Sequence, residues 1–335
     1  MAAGRRLLVI NIARIGDTLL ATPLLRALKA SAPDVHLGCI AHPKRAEVLE
    51  GLPFIDTLIR STPKRLRFCG RLPGRSWDTA FVLGREAALV RYGLRVARRV
   101  VAFRQPDEGL NRRLWRLVEP PPEVVHAVRE RLMLAEAVGV ASPDRALAYR
   151  VMPDEAAWAR GWLRRQGLAG QRPLIALQLS SFPAKAYRDW PLGHFIALAR
   201  ALLAAFPGAR FLLTGGVESR ERSGRFADTF PDRVVDTCGV FPLRRSAALL
   251  AQADLYVGVD TGPTHLAGAL GIPMVALYHC RHRGRHLAPP DAPFRKIVEH
   301  PAPDRQCGPD TPMEAIGVAR VAEAACALLH KGGRG

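Results

Sequence analysis

Short apolar runs alternate with stretches of helical periodicity along the first third of the chain. Residues 7–12 are apolar except for Asn11, and this pattern predicts a buried strand. Residues 18–30 carry apolar positions at helical spacing, with Thr18 as the expected N-cap. Further strands are predicted at residues 36–41, 56–60, 78–83 and 98–103. Buried strands that alternate with helices are typical of a parallel sheet covered by helices on both faces.

The same alternation returns in the second half of the chain. Residues 104–123 interrupt the pattern with prolines and a glycine, and the join between the two halves falls near residues 150–172. The predicted strands of the second half are 173–179, 209–214, 255–259 and 273–278, and the predicted helices from the join onward are 124–138, 154–166, 192–206, 244–253, 264–270 and 314–329. We therefore expect an α/β protein with two Rossmann-like domains. Their parallel sheets would face a central cleft, because open α/β sheets bind ligands at the carboxyl ends of their strands.

The chain of 335 residues is strongly basic, with 49 Lys+Arg against 30 Asp+Glu and a formal net charge of +19. Because 43 of these cations are Arg, the coding bias of a GC-rich genome and attraction to an anionic partner both explain the total. Nucleic acid is the less favoured partner, since aromatic residues make up only 7% and no helix-turn-helix, RNA-recognition or zinc-finger motif is present. No apolar run approaches the ~18 residues of a membrane-spanning helix.

Six cysteines are scattered through the chain without a C-x-x-C pair. This usage predicts free thiols in a cytoplasmic protein, most of them buried as small apolar groups. The run His279-Cys280-Arg-His282-Arg-Gly-Arg-His286 holds four potential zinc ligands, but the arginines in and beside it oppose a cation. We therefore expect no metal and no cofactor, and a loop whose arginines face phosphate or solvent.

The turn after the first predicted strand excludes several classes of nucleotide-binding protein and hydrolase. It reads Asn-Ile-Ala-Arg-Ile-Gly-Asp-Thr from Asn11 to Thr18, and its single glycine does not meet the three-glycine dinucleotide fingerprint. The chain also lacks a P-loop and the G-x-S-x-G nucleophile turn. Asp17 therefore lies at the mouth of the sheet, where it either favours the helix N-terminus electrostatically or serves as a reactive carboxylate.

Two later strand ends carry polar residues suited to a diphosphate. Residues 260–265 read Asp-Thr-Gly-Pro-Thr-His and open a helix, whose backbone amides form a potential anion site. Residues 180–185 read Ser-Ser-Phe-Pro-Ala-Lys, and their hydroxyls and cation suit a leaving phosphate. Capping residues at a sheet corner and an ordinary solvated loop are the alternative interpretations of these two segments.

Three motifs taken in order resemble glycosyltransferase family 9, the ADP-heptose:lipopolysaccharide heptosyltransferases. They are Arg-Ile-Gly-Asp at residues 14–17, Pro-Ala-Lys and Trp-Pro within residues 183–191, and Asp-Thr-Gly-Pro-Thr-His at residues 260–265. The resemblance spans roughly residues 6–330 and implies the GT-B fold. The domains it implies are an acceptor-binding domain at 1–155, a nucleotide-sugar-binding domain at 172–312, and a C-terminal helix at 313–331 that packs back toward the N-terminal domain.

The reaction implied by the resemblance is an inverting, metal-independent transfer of heptose from ADP-heptose to an inner-core acceptor. Asp17 matches the family's general base and Lys185 its phosphate-binding cation. What looks like a three-residue insertion before Trp-Pro leaves Arg188 as the alternative cation. A donor-binding acid is expected after the turn at 214–216, and both Glu218 and Glu221 are candidates for it. The implied donor-binding residues are Ser180, Ser181, Lys185, Glu218, Asp260, Thr261, Gly262, Thr264 and His265.

The basic charge has a place in this interpretation. Residues 60–75 hold six cations and no acid, which predicts either a solvated loop or a surface for the carboxylates and phosphates of an anionic glycolipid. The expected acceptor-binding residues are Arg14, Lys64, Arg65 and Arg67. The expected location is cytoplasmic, peripheral to the inner membrane, with no nucleic-acid partner. A transferase of the same fold with another nucleotide sugar or glycan acceptor is the alternative. The presence of both Asp17 and Lys185 argues against a non-catalytic homologue.

Overall fold

The structure is a computed structural model that describes residues 5–68, 76–290 and 294–332. The chain divides into two compact units, Met1–Arg150 and Val151–Gly335. Each unit contains one six-stranded sheet in which every pair of neighbouring strands is parallel. The expected α/β fold class is therefore confirmed.

The first unit has the strand order of a doubly wound sheet. Its strands are β1 (Arg6–Asn11), β2 (His36–Ala41), β3 (Thr57–Arg60), β4 (Trp77–Val82), β5 (Ala97–Phe103) and β6 (Arg116–Val118). Its helices are α1 (Ile15–Leu19), α2 (Thr22–Ala30), α3 (Pro63–Phe68), α4 (Ala87–Val96), α5 (Glu108–Asn111) and α6 (Ala127–Glu136). The order is β3-β2-β1-β4-β5-β6, so the direction of winding reverses between β1 and β4. Ligands of such sheets bind outside the strand ends at this switch point.

The second unit repeats the same topology. Its strands are β7 (Leu174–Gln178), β8 (Arg210–Leu213), β9 (Val234–Asp236), β10 (Leu255–Val259), β11 (Met274–Tyr278) and β12 (Arg295–Glu299). Its helices are α7 (Pro153–Arg165), α8 (Leu192–Ala205), α9 (Arg220–Thr229), α10 (Leu243–Leu250), α11 (Gly262–Ala269), α12 (Gly284–Leu287) and α13 (Val318–Gly332). The order β12-β11-β10-β7-β8-β9 places the switch point between β7 and β10.

The strands that the sequence predicts are present, and their ends agree within a residue or two. Strands β6, β9 and β12 were not predicted. All three lie at outer edges of their sheets, and their residues are mostly only partly buried, so they lack the continuous apolar run of a central strand. The predicted N-cap is wrong. Arg14 occupies the N-cap of α1, and Thr18 lies inside the helix, where its hydroxyl donates to the Arg14 carbonyl at 2.8 Å.

The last helix completes the core of the second unit. Val321, Ala325 and Leu328 of α13 are buried in the same cluster as residues of α8 and of the central strands. The segment that leads into this helix is fixed by the Trp190 indole, whose Nε1–H donates to the Ile316 carbonyl at 2.8 Å. The helix is thereby tied to the Trp-Pro element at residues 190–191. Its predicted contact with the N-terminal domain stays a prediction.

The expectation that the cysteines are free thiols is wrong for one pair. Cys280 and Cys307 form a disulfide with a Cα–Cα distance of 5.9 Å. The two residues are 27 positions apart, so no short sequence motif predicts the bond. Cys39 and Cys238 are buried free thiols and Cys326 is partly buried, as expected, while Cys69 lies outside the described residues.

Candidate functional site

Asp17 lies at the switch point of the first sheet, in the first turn of the helix that follows β1. Its Oδ1 accepts a hydrogen bond from Arg131 Nη2 at 2.9 Å, and 47% of the Asp17 side chain is exposed. Arg131 lies on α6 and is only 16% exposed. Its Nη1 donates to the Ala127 carbonyl of its own helix at 2.8 Å, so the guanidinium is fixed from both sides.

Arg131 is a site residue that the sequence analysis missed. It lies 114 residues after Asp17, and the helical pattern around it gives no signal of a long-range partner. Burial lowers the pKa of Arg131, although the Asp17 and Glu130 charges oppose this effect. In the described part of the chain, Asp17 Oδ2 takes part in no hydrogen bond or ion pair. The carboxylate is therefore held through one oxygen, and about half of the side chain is exposed.

The predicted acceptor-binding residues lie in the same unit. Arg14 precedes α1 and is exposed, and Lys64 and Arg65 are exposed on α3. The side chain of Arg67, together with Arg71 and Arg75, lies outside the described residues. Arg60, the first cation of the basic segment, is paired with Glu50. Lys64 and Arg65 thus give the described part of this segment its exposed positive charge.

At the switch point of the second sheet, the segments that follow β7 and β10 meet. Arg188 Nη1 lies 2.5 Å from Asp260 Oδ2, and the two side chains are 14% and 4% exposed. His265 Nε2 lies 3.7 Å from the other carboxylate oxygen, Oδ1. Burial raises the pKa of Asp260, but His265 and Arg188 outweigh burial and hold that pKa below its ordinary value. Asp260 is therefore an ionised, nearly buried anion at neutral pH.

Lys185 belongs to the 3₁₀ turn Pro183–Arg188 and is partly exposed. Its Nζ lies 5.7 Å from the centre of the Tyr187 ring, and in the described part of the chain Lys185 forms no ion pair. The Tyr187 hydroxyl is bonded to His282 Nε2 at 2.8 Å. Burial and the neighbouring Arg188 charge lower the pKa of His282 to about 4, so His282 is neutral at pH 7. Of the two candidate phosphate cations, Arg188 is neutralised and Lys185 is not.

The two serines at the start of this segment form hydrogen bonds that fix its conformation. The Ser180 hydroxyl donates to Ser219 Oγ at 2.9 Å. Ser181 Oγ lies 2.7 Å from both Asp189 Oδ1 and the Lys185 carbonyl oxygen, and the Ser181 amide also donates to Asp189. Asp189 was not predicted, yet it closes the turn that carries Lys185. A role of Ser180 and Ser181 in donor binding stays a prediction.

The helix that follows Asp260 has fewer free backbone N–H groups for an anion than its sequence suggests. Thr261 is its N-cap, Pro263 has no N–H, and the Thr264 amide donates to the Thr261 carbonyl at 3.1 Å. The Thr264 hydroxyl is fully buried and donates to the Val259 carbonyl at 2.5 Å. An anion at this helix would therefore meet the amides of Thr261 and Gly262.

Glu218 and Glu221 lie beyond the end of β8, the neighbour of β7. Both are exposed, Glu221 in the first turn of α9 and Glu218 in the preceding 3₁₀ turn Val217–Ser219. The Glu218 carboxylate lies over Gly216, where a Cβ would collide with it. The glycine thus allows this carboxylate to fold back toward the strand end, and Glu221 has no comparable contact in the described residues.

Three buried polar atoms at this sheet edge have no hydrogen-bond partner in the part of the chain that the structure describes. They are Gln178 Oε1 at the end of β7, His265 Nδ1 in α11, and the Tyr278 hydroxyl at the end of β11. Buried polar groups are normally satisfied, so each such atom calls for a partner. Their position on neighbouring strands and on the helix after β10 is consistent with a polar ligand at the switch point.

Comparison with known proteins gives these two switch points a context. A family model described as glycosyltransferase family 9 (heptosyltransferase) matches residues 72–313. The chain belongs to this family. A curated relative, lipopolysaccharide heptosyltransferase 1 of Pseudomonas aeruginosa, is 28% identical over 301 residues, which cover 82% of this chain and 78% of the relative.

Solved structures show that this family member has the GT-B fold. The crystal structure of a family 9 glycosyltransferase from Veillonella parvula superposes with a TM-score of 0.84 at 20% identity and covers 99% of both chains. The structure of E. coli ADP-heptose lipopolysaccharide heptosyltransferase II superposes with a TM-score of 0.80 at 21% identity, covering 97% of this chain and 99% of the other. In the described residues of the present family member, no helix has the length and apolarity to cross a membrane.

Proposed function

We propose that this family 9 member transfers a heptose from ADP-heptose to an anionic lipopolysaccharide inner-core acceptor by a single displacement that inverts the anomeric carbon. The names of its relatives support the sugar and the acceptor class. Asp17 accepts the proton of the attacking hydroxyl, and the charge that develops on the departing ADP is stabilised in the second unit.

The contact between Asp17 and Arg131 supports the role of base. A general base must be accessible to the acceptor hydroxyl and fixed in orientation, and Asp17 meets these conditions through its half-exposed carboxylate and its bond to a nearly buried guanidinium. Oδ2 is the oxygen that takes the proton in this proposal, because Oδ1 is already bonded to Arg131. Such a base typically contributes roughly 10²–10⁴-fold to the rate.

The assignment of the donor site rests on the different contacts of two cations in one turn. Arg188 is committed to the buried carboxylate of Asp260 at 2.5 Å, whereas Lys185 stands three residues earlier without an anionic partner among the described residues. Lys185 is therefore the cation that neutralises the leaving diphosphate, together with the amides of Thr261 and Gly262. Glu218 is proposed to contact the donor sugar or ribose from the end of β8.

The proposed stabilisation of the diphosphate uses a lysine and helix amides instead of a divalent cation. The sequence has no Asp-x-Asp pair, the carboxylate clamp that holds a metal diphosphate in many other transferases. We therefore expect turnover to continue after treatment with EDTA. A requirement for added Mg²⁺ or Mn²⁺ would contradict this part of the proposal.

The acceptor is proposed to meet the exposed cations Arg14, Lys64 and Arg65 of the first unit, joined by Arg67. Inner-core acceptors carry carboxylates and phosphates, which arginine and lysine bind through charge-assisted hydrogen bonds. The same basic surface would place the enzyme at the cytoplasmic face of an anionic membrane, where its acceptor resides.

The decisive experiment offers the purified protein ADP-, UDP- and GDP-linked sugars with deacylated inner-core oligosaccharides as acceptors. We expect ADP release and a heptosylated product only from ADP-heptose, with the anomeric configuration inverted in the product's NMR spectrum. Asp17→Asn serves as the inactive control for contaminating activity. Efficient turnover of a UDP- or GDP-sugar would replace the proposed donor with the alternative of the same fold.

A further inference from the structure

Beside the candidate transfer site, a cluster of histidines and cysteines lies at the ends of β11 and β12, with the His279 ring packed edge-on against Tyr187 at a centroid distance of 5.2 Å. These strands are paired in register at Tyr278 and Glu299, so the next residues, His279 and His300, lie side by side with ring centres 5.8 Å apart. Cys280 follows His279, and Cys307 arrives from the 3₁₀ turn Asp304–Gln306. One potential ligand atom each from His279, Cys280 and Cys307 lies within 4.8 Å of the others.

The hydrogen bonds of His279 determine which nitrogen could bind a metal. The Arg281 amide donates to Nδ1 at 3.1 Å, so Nδ1 carries a lone pair and no hydrogen, and a metal ion at Nδ1 would replace this hydrogen bond. Nε2–H then donates to the Thr311 carbonyl at 2.8 Å. Nδ1 also lies 3.7 Å from Cys280 Sγ. Metal-bound histidines commonly show this arrangement, with the outer N–H fixed on a backbone carbonyl.

The arginines of the same loop do not oppose a cation as strongly as the sequence suggests. Arg283 is neutralised by Asp304, whose Oδ1 lies 2.8 Å from Nη2, and by Glu299 at 3.8 Å. Arg281 is exposed, and its guanidinium lies 5.7 Å from the centre of the Tyr187 ring. Two thiolates would bring two negative charges to a bound divalent ion. His282, bonded to Tyr187, does not join the cluster.

The remaining described cysteines are poor competitors for a metal. Burial raises the pKa of Cys39 to about 12, and burial together with the Asp236 charge raises that of Cys238 further. Both therefore stay protonated, and metal ligation requires the thiolate. Cys326 lies alone on α13, so it offers a single sulfur.

We propose that His279, Cys280 and Cys307 form a redox-dependent site for a thiophilic divalent cation such as Zn²⁺. In the oxidised state the two sulfurs form the disulfide of the structure. In the reduced state they bind the ion as thiolates together with His279 Nδ1, and a water completes a tetrahedral set. Either linkage holds the loop after β11 against the segment that leads into α13. The role assigned to the ion is structural and separate from the transfer chemistry.

The two states interconvert by a balanced reaction. A phosphine reductant attacks the Cys280–Cys307 bond, is oxidised to the phosphine oxide with the oxygen of water, and leaves two thiols. Binding of one Zn²⁺ then releases the two thiol protons. An oxidant of the disulfide class reverses the change: it takes up two electrons from the thiolates and two protons from solvent, becomes two thiols, and leaves the Cys280–Cys307 bond and the free ion.

The test uses the full chain, reduced with a phosphine under nitrogen and freed of metal, and then titrated with Co²⁺ as a spectroscopic stand-in for Zn²⁺. We expect one Co²⁺ per chain, with the thiolate-to-cobalt charge-transfer absorption of a cysteine-bound ion, and displacement of that Co²⁺ by one equivalent of Zn²⁺. We expect the oxidised protein to show no such absorption. Zn²⁺ should also protect Cys280 and Cys307, but not Cys326, from alkylation in a peptide map.

Two variants separate the site from general loss of cysteine. Cys307→Ser should abolish the charge-transfer absorption, and His279→Ala should weaken Co²⁺ binding by more than ~10-fold. Cys326→Ser is the matched control and should bind as the wild type does. Absence of the absorption in the reduced wild type, or alkylation of Cys280 and Cys307 that Zn²⁺ does not slow, would overturn the proposal whether or not the variants fold. Persistence of the absorption in Cys307→Ser would do the same.

Discussion

The two cations of the Pro183–Arg188 turn should respond in opposite ways to the same substitution. Arg188→Met removes the cation that lies 2.5 Å from Asp260, whose side chain is 4% exposed and would be left with His265 Nε2 at 3.7 Å. Breaking a buried ion pair from one side costs about 3–5 kcal/mol, because the Asp260 charge stays nearly buried after its Arg188 partner is removed. For a unit the size of Val151–Gly335, each kcal/mol shifts Tm by roughly 2–4 °C, so we expect a fall of roughly 6–20 °C.

Lys185→Met should leave stability unchanged and reduce catalysis. Lys185 is partly exposed and forms no ion pair in the described residues, so its loss should change the free energy of unfolding by no more than about 0.5 kcal/mol. Loss of a charge directed at the departing phosphate typically lowers kcat by ~10²–10³-fold. Differential scanning calorimetry and steady-state ADP release measure the two effects on the same samples.

The double variant Arg188→Met/Asp260→Asn is the control for this comparison. It removes both buried charges, and replacing a buried pair as a whole is often close to neutral, so much of the lost Tm should return. The reasoning fails if Arg188→Met unfolds at the wild-type temperature, or if the double variant is less stable than the single one. It also fails if Lys185→Met keeps full kcat.

Three further predictions follow from the remaining contacts. Asp17→Asn should lower kcat by ~10²–10⁴-fold with little change in donor KM, and wild-type turnover in this variant would show that Asp17 is not the base. Arg131→Met should give a smaller loss of kcat with a shifted pH–rate profile, because Arg131 acts through Asp17. Arg65→Glu should raise acceptor KM by ~10-fold or more, because charge-assisted hydrogen bonds are lost, and should leave donor KM unchanged. Arg225→Glu changes an exposed cation of α9 and is the matched control. Equal effects of Arg65→Glu on acceptor KM and donor KM would contradict the assignment. His282 has a folded-state pKa of about 4 against an ordinary value of 6.5, so only the unfolded chain takes up its proton between these values and stability should rise with pH across that window. Because His282 is partly exposed, we expect it to contribute about 1–3 kcal/mol to this change in the free energy of unfolding. Urea unfolding at pH 4.5 and 7.5 should show a smaller change in that free energy for His282→Gln than for the wild type. Equal changes for the two proteins would show that His282 is not the cause.

The sequence predicts the fold well because the central strands are buried on both faces. A strand such as Leu255–Val259 must be apolar at every position, so its run is visible without any knowledge of its neighbours. The polar residues that follow such runs necessarily gather at one sheet edge, since all strands are parallel. That logic placed Asp17, Lys185 and Asp260 at strand ends before their partners were known.

The partners themselves could not be predicted, because they depend on contacts between distant segments. Arg131 reaches Asp17 over 114 residues and Cys307 reaches Cys280 over 27, and neither spacing has a local periodicity. Arg188 is the instructive intermediate case. The sequence identified it as a candidate phosphate cation, but only the structure shows that its charge is consumed by a buried carboxylate.

The two units use one topology to present opposite chemistry. At the first switch point the cation, Arg131, is the member of the pair that is nearly buried, and the half-exposed group is the Asp17 carboxylate. At the second switch point both members of the pair, Arg188 and Asp260, are buried, and the partly exposed group is the cation Lys185. Buried ion pairs contribute little net stability, but they fix the position and charge of what remains accessible. In the proposed function, the first sheet supplies the proton acceptor and the second the anion-binding cation, which are the two groups that displacement of a diphosphate by a hydroxyl requires.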